Sequence, residues 1–145
     1  MERPHIIAGG THKDDRGIIS FVNDFQFAGV ERFYAIEHPD VEIVRAWQGH
    51  KKENKWFFVV AGCFKVVAVR LDDWSNPSRE LVAEEFVLSA DSTTGILHIP
   101  GGYANGFKAI SANSKVIIFS DATVEASTLD HYRFDQELWY DWNKK

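Results

Sequence analysis

Residues 55–71, reading KWFFVVAGCFKVVAVRL, constrain this chain more than any other segment. The run is rich in Val and Phe and is interrupted by Gly62. β-Branched and aromatic side chains lose rotamer freedom on a helix and pack well on a pleated surface. The segment therefore reads as two strands joined by a tight turn near Ala61-Gly62. Further strand candidates follow at short spacing. They are residues 17–22 beside the turn residues Asp14, Asp15 and Gly17; 32–36 and 42–46 around His38-Pro39-Asp40; 81–88; 95–99, stopped by Pro100-Gly101-Gly102; 107–110; and 115–120. Many short strands divided by turn signals predict an all-β sandwich or barrel. One short helix is expected between Thr123 and Leu138. No linker, repeat or low-complexity tract interrupts the 145 residues, so a single domain over 1–145 is expected.

Composition narrows the function classes. Sixteen Lys+Arg stand against 21 Asp+Glu, giving a formal charge of −5. That balance argues against nucleic acid as a partner, since phosphate binding needs a basic surplus. The start, Met-Glu-Arg-Pro-His, lacks a signal-peptide pattern, and no apolar run reaches the roughly 18–20 residues of a membrane span. A cytoplasmic protein without a membrane partner is expected. The single cysteine, Cys63, excludes an internal disulfide framework and a multi-Cys zinc site. Aromatics reach 14%, which either a core or a pocket for flat or sugar-like ligands would use.

Two turn-rich segments carry the chemistry. In Arg45-Ala46-Trp47-Gln48-Gly49-His50-Lys51-Lys52, Gln48 and His50 stand two apart and share one face of an extended strand. Lys55 opens the next strand and can reach the same cavity. Burial and a neighbouring ammonium both lower the proton affinity of an imidazole, leaving His50 neutral at pH 7 and able to act as a base. The second segment is Ile99-Pro100-Gly101-Gly102-Tyr103-Ala104-Asn105-Gly106-Phe107, a sharp turn followed by a polar residue re-entering a strand.

Together these segments resemble the two motifs of the cupin superfamily, and the resemblance implies a double-stranded β-helix, or jelly-roll, barrel. Gln48, His50, Lys55 and Gly62 fall at the first motif's His, His, acid and Gly. Pro100-Gly101-Gly102 and Asn105 fall at the second motif's Pro-x-Gly and His. Of the four metal-ligand positions only His50 keeps a ligand, so no tightly bound metal and no cofactor is expected. The closer likeness is to the dTDP-4-dehydrorhamnose 3,5-epimerases, through Asp15-Arg16-Gly17, the Lys55 strand with Gly62, the Ile99–Phe107 segment and, loosely, Asp135 followed by Trp142. The segment Arg45–Lys52 is similar to the Arg-Gly-x-His-Ala-His-Lys-Lys motif of the sister dTDP-sugar 3,4-ketoisomerases.

The resemblance implies metal-free proton transfer next to the ketone of a 4-keto-6-deoxyhexose, in deoxysugar biosynthesis, by a homodimer binding a nucleotide sugar. It implies His50 as base, Lys55 as oxyanion stabiliser and Gln48 as hydrogen-bond donor to the keto oxygen. Arg16, Arg45, Asn105, Phe119 and Asp135 become candidate substrate contacts. The family's base His falls at Gln48 and its proton-donating Tyr at Phe119, and neither residue can do that work. The alternative is therefore a non-catalytic cupin that binds a nucleotide sugar or carbohydrate. Without the resemblance, Asn105 would tie down its own turn, Phe119 would be core, and His98 would be a satisfied core or cavity histidine.

Overall fold

The computed structural model describes residues 2–92 and 94–144. The chain forms β1 (His5–Ala8), β2 (Gly10–Asp14), β3 (Gly17–Phe21), β4 (Arg32–His38), β5 (Val44–His50) and β6 (Lys55–Ala61). It continues with β7 (Cys63–Arg70), β8 (Ala83–Ser89), β9 (Gly95–Ile99), β10 (Tyr103–Ala109), β11 (Ser114–Ser120), the helix α1 (Val124–Leu129) and β12 (Tyr132–Arg133). Two five-stranded antiparallel sheets pack as a jelly roll, with strand orders β1-β9-β6-β11-β4 and β12-β5-β10-β7-β8. The hairpin β2–β3 stands apart as a two-stranded sheet.

The turn expected near Ala61-Gly62 separates β6 from β7, and Gly62 takes a φ of +74°. A Cβ there would lie 2.1 Å from Ser114 Oγ, so only glycine fits both the dihedral and the space. The two strands do not pair as a simple hairpin. β6 lies between β9 and β11, whereas β7 lies between β10 and β8. The same crossing separates β4 from β5 after His38-Pro39-Asp40. Each turn carries the chain from one sheet to the other, which places consecutive strands on opposite walls of the core.

That core is built from the inward residues of both sheets. Phe57, Phe64, Val66, Leu88, Leu97, Phe107, Val116 and Ile118 are all buried in it. Phe107 meets Phe57 and Phe64 edge-on, with centroids 5.7 and 6.0 Å apart. Truncating any of these rings to Ala would cost about 3–5 kcal/mol. A second core covers the outer face of the β5-β10-β7 sheet, where Trp47, Val67, Val69 and Leu71 pack under Trp142 and its C-terminal neighbours. This explains why β7 is buried on both faces and reads as a continuous apolar run. It also accounts for much of the aromatic content without any ligand.

The expected helix is a six-residue turn and a half, with Thr123 as N-cap accepting from the Ala126 amide at 3.1 Å. It buries none of its own residues. Its work is done by the acidic residues at its two ends, described next. Among the described residues no helix is long and apolar enough to cross a membrane.

Candidate functional site

At one end of the two sheets lies a cavity of about 250 Å³ lined by Arg32, Gln48, His50, Lys55 and Arg133, with Val124, Ser127, Thr128 and His131 over it. Each wall supplies part of it. In the first sheet Arg32, Ser120 and Lys55 stand side by side on β4, β11 and β6. In the second, Gln48 lies opposite Arg133 on β12, and His50 opposite Tyr103 on β10. The helix and the residues following it close the mouth.

His50 and Lys55 are almost wholly buried, with 3% and 7% of their surface exposed. The His50 ring is oriented from behind. Its Nδ1 lies 2.8 Å from the Asp130 carbonyl oxygen, which can only accept, so Nδ1 carries the proton. Nδ1 also faces Glu53 Oε1 at 3.3 Å, an electrostatic contact rather than a formed hydrogen bond. Nε2 is buried and has no partner among the described residues. Burial pushes the His50 pKa below the usual imidazole value, and the Lys55 ammonium pushes it further. The Glu53 carboxylate and the Asp130 carbonyl oppose this without reversing it. The ring is therefore neutral at pH 7, with a lone pair on Nε2.

Glu53 is the buried counter-charge. Its Oε2 accepts from the Ser120 hydroxyl at 2.6 Å and faces Arg32 Nη2 at 3.3 Å. Burial alone would raise its pKa. The Ser120 hydroxyl, the nearby Ser127 hydroxyl (which does not complete a hydrogen bond) and the Lys55 ammonium, joined by His50 only when that ring is protonated, outweigh burial and hold the carboxyl below its ordinary range. His131 stacks on His50, with centroids 5.5 Å apart and planes 15° from parallel. Its pKa is also lowered, by burial first and then by Arg133 and Lys55.

Two carboxylates anchor the loop that carries these groups. Asp130 accepts from the successive amides of Lys51, Lys52 and Glu53, each at 2.9 Å. Burial raises its pKa, but the three amides outweigh that and hold it low. Asp121 accepts from the Asn54 amide at 2.8 Å and from its side-chain Nδ2 at 2.9 Å. The loop between β5 and β6 is thus clamped from both ends of α1.

Gln48, His50 and Lys55, singled out in the sequence, all reach this one cavity. Asn105 is buried opposite Gln48 on the same sheet face, with Oδ1 unpartnered, though it does not line the cavity itself. The remaining expected contacts lie elsewhere. Arg16 is on the β2–β3 turn, 82% exposed, and closes onto its own Asp14 at 2.7 Å. Arg45 donates through Nε to His38 Nε2 at 3.2 Å. Asp135 is exposed and caps its own turn by accepting from the Glu137 amide. Phe119 points outward among Phe25, Phe27 and Phe33, because the inward positions of β11 fall to Val116, Ile118 and Ser120. Four charged or titratable groups in or behind the cavity carried no expectation from sequence: Arg32, Glu53, His131 and Arg133. Only Glu53 had a local signal, its i, i+3 spacing from His50.

No protein-family model matches the chain, and no curated protein sequence does. Solved structures do. A dTDP-sugar isomerase from Desulfovibrio desulfuricans superposes with a TM-score of 0.76 at 18% identity, covering 98% of this chain and 92% of that one. The chain has the fold of the sugar-nucleotide epimerases and ketoisomerases. The RmlC epimerase of Mycobacterium tuberculosis gives 0.75 at 18% identity, over 96% of this chain and 74% of that one. A mutant of the 3,4-ketoisomerase QdtA from Thermoanaerobacterium thermosaccharolyticum, in complex with TDP-4-keto-6-deoxyglucose, gives 0.70 at 15% identity, over 92% and 89%.

Proposed function

We propose that the protein is a metal-free nucleotide-sugar isomerase that moves the ketone of a 4-keto-6-deoxyhexose between neighbouring carbons. The observation that carries this is the His50 ring, which lines the cavity with Lys55: Nδ1–H is held by Asp130 and faced by Glu53, while Nε2 is left buried and unpartnered. This is the arrangement of an oriented general base beside an oxyanion stabiliser. The lining also concentrates positive charge, from Arg32, Lys55 and Arg133, in a chain whose net charge is −5. Such a lining suits a diphosphate-linked sugar and the enolate formed from it.

In this reading His50 Nε2 takes the proton from C3, next to the ketone at C4. The electron pair moves into a C3–C4 enediolate whose negative oxygen faces the Lys55 ammonium, with the Gln48 amide as donor. His50 returns the proton to C4 on the same face. His131, unprotonated for the reasons given above, accepts the O3 proton and passes it to O4, so that a 3-ketone results and no proton is lost. Epimerisation needs a donor on the opposite face; among the described residues none lining the cavity is a tyrosine, and the nearest phenol ring by contact is Tyr34, 5.8 Å from Lys55 Nζ. The second imidazole, His131, stacked on His50, suits a proton shuttle between O3 and O4 and favours ketoisomerisation over 3,5-epimerisation. A binder without a reaction would have no use for an imidazole oriented by the Asp130 carbonyl beside a buried carboxylate.

The homodimer expected from the family likeness remains part of this proposal. The exposed rings of Phe27 and Phe33, beside the half-buried Phe119, offer it an apolar face. Sedimentation velocity tests it, and a monomer at micromolar concentration would refute it. For the activity, incubation with dTDP-4-keto-6-deoxyglucose in D₂O, followed by NMR, should show a shifted carbonyl and deuterium at C3 or C4. No exchange and no isomer with any of several 4-keto nucleotide sugars would overturn the reading.

A further inference from the structure

A second cluster of titratable groups lies outside the jelly roll, on the outer face of the first sheet. His98 on β9 stands opposite His5 on β1 and opposite Trp56 on β6. Its neighbours Leu97 and Ile99 point into the core, so His98 points outward, yet only 6% of it is exposed. Trp56 stacks on one side of the ring at 4.8 Å and 10°, and His5 meets it edge-on at 5.3 Å.

The hydrogen bonds around these rings determine which nitrogens carry lone pairs. Asn54 gives its Nδ2 to the Asp121 carboxylate at 2.9 Å, so its Oδ1 is the end turned toward His98. That oxygen lies 2.9 Å from His98 Nε2, which must therefore be the donor. Nδ1 of the neutral ring is left with a lone pair, and it faces Glu2 Oε2 at 3.3 Å. His5 is fixed the same way: its Nδ1 lies 3.2 Å from the Arg3 carbonyl, which can only accept, so Nε2 is the free nitrogen. Two imidazoles, each with one N–H tied to a carbonyl oxygen, thus stand with a carboxylate in one cluster, and each ring keeps a nitrogen able to bind an ion. One ligand atom from each of the three residues lies within 4.8 Å of the other two.

We infer that Glu2, His5 and His98 form a binding site for a divalent transition-metal ion of zinc's class. Two nitrogens and one carboxylate oxygen make a donor set suited to Zn²⁺, Co²⁺, Ni²⁺ or Cu²⁺ and poorly suited to Ca²⁺ or Mg²⁺. Ligand bonds of about 2.0–2.2 Å around a tetrahedral ion put ligand atoms roughly 3.3 Å apart, the separation seen between His98 Nδ1 and Glu2. His98 is the rigid member, set by Asn54 and Trp56. His5 and Glu2 are exposed and can close the remaining distance. A water molecule would complete the four ligands. The carbonyl partners behind both rings are the outer-shell acceptors that normally fix a metal-binding histidine's tautomer. This site is separate from the cavity around His50 and does not depend on the function proposed for it.

The test is calorimetric titration of Zn²⁺ into the untagged, chelator-treated protein. The expected result is one ion per chain, with affinity falling about 10–100-fold in Glu2→Gln and in His5→Gln and unchanged in the exposed control His12→Gln. Both ligand substitutions are at exposed positions, and unchanged melting curves will show that the variants fold. In a second readout, Co²⁺ should quench part of the tryptophan fluorescence, and that part should vanish in Trp56→Phe and in His5→Gln. No stoichiometric binding would overturn the inference, because the 3.3 Å contact is then a simple imidazolium–carboxylate pair. Binding that survives both Glu2→Gln and His5→Gln would overturn it too, by placing the ion elsewhere.

Discussion

Replacing Glu53 with glutamine keeps the shape of the side chain and removes the one buried negative charge behind His50. In the resting protein His50 is neutral, so the change costs little there. The glutamine carbonyl can still accept from Ser120, and the main loss is the contact with Arg32. A stability loss of about 1–2 kcal/mol follows from a weakened charge-assisted hydrogen bond. The cost during turnover is much larger. Once Nε2 takes a proton, the imidazolium lies 3.3 Å from the carboxylate, with 4% and 1% of the two side chains exposed. At an effective dielectric constant of about 20 that attraction is about 5 kcal/mol. At 1.36 kcal/mol per tenfold, Glu53→Gln should lower kcat by about 10³–10⁴-fold. The sign of the pH effect is also fixed. Glu53 raises the His50 pKa, so its removal lowers that pKa and moves the acidic limb of kcat/KM to lower pH. Deuterium incorporation followed by NMR across pH measures both. A folded Glu53→Gln enzyme within threefold of the parent rate, with an unmoved acidic limb, would refute the pairing.

The same electrostatics govern the other groups. Lys55→Met should lower kcat by about 10²–10³ through loss of the enolate's partner, and it should move the acidic limb to higher pH, because Lys55 depresses His50; a limb that stays put would contradict the placement. Asp130→Ala removes the acceptor for three backbone amides, a loss of about 3 kcal/mol, or roughly 6–12 °C in Tm. The Asp130 carboxyl is held below its ordinary range, so its contribution is complete above that range and is lost as pH falls through the depressed value; the gap in Tm between parent and variant should narrow in acid, and a constant gap would count against it. Gly62→Ala forces a Cβ onto Ser114 at a positive φ and should cost about 1–3 kcal/mol, read as a fall in the urea midpoint with an unchanged slope.

Parts of this architecture were legible because they are written in local chemistry. The Val- and Phe-rich run at 55–71 announced β6 and β7, and Gly62 announced their turn. Gln48 and His50 share a face because strands repeat every two residues. β1 and β2 are short edge elements without strict alternation, and their pairing depends on partners far along the chain. Phe119 was ambiguous for a different reason: Val116, Ile117, Ile118 and Phe119 are all apolar, so no alternation marks which face turns inward. Asp130 and Glu53 show most clearly what local sequence leaves out. Asp130 reaches the Lys51–Glu53 amides from nearly 80 residues away, and only the closed fold makes Glu53 a buried partner rather than a surface charge.

The central claim is that His50 is a neutral ring with its proton on Nδ1 and a free Nε2. Nitrogen-15 chemical shifts of the histidine rings, assigned with His50→Gln, test it directly. At pH 7 the protein should show a protonated Nδ1 and an unprotonated Nε2 at His50, with conversion to imidazolium only below the ordinary histidine pKa. A doubly protonated ring at pH 7, or a proton on Nε2, would contradict the account.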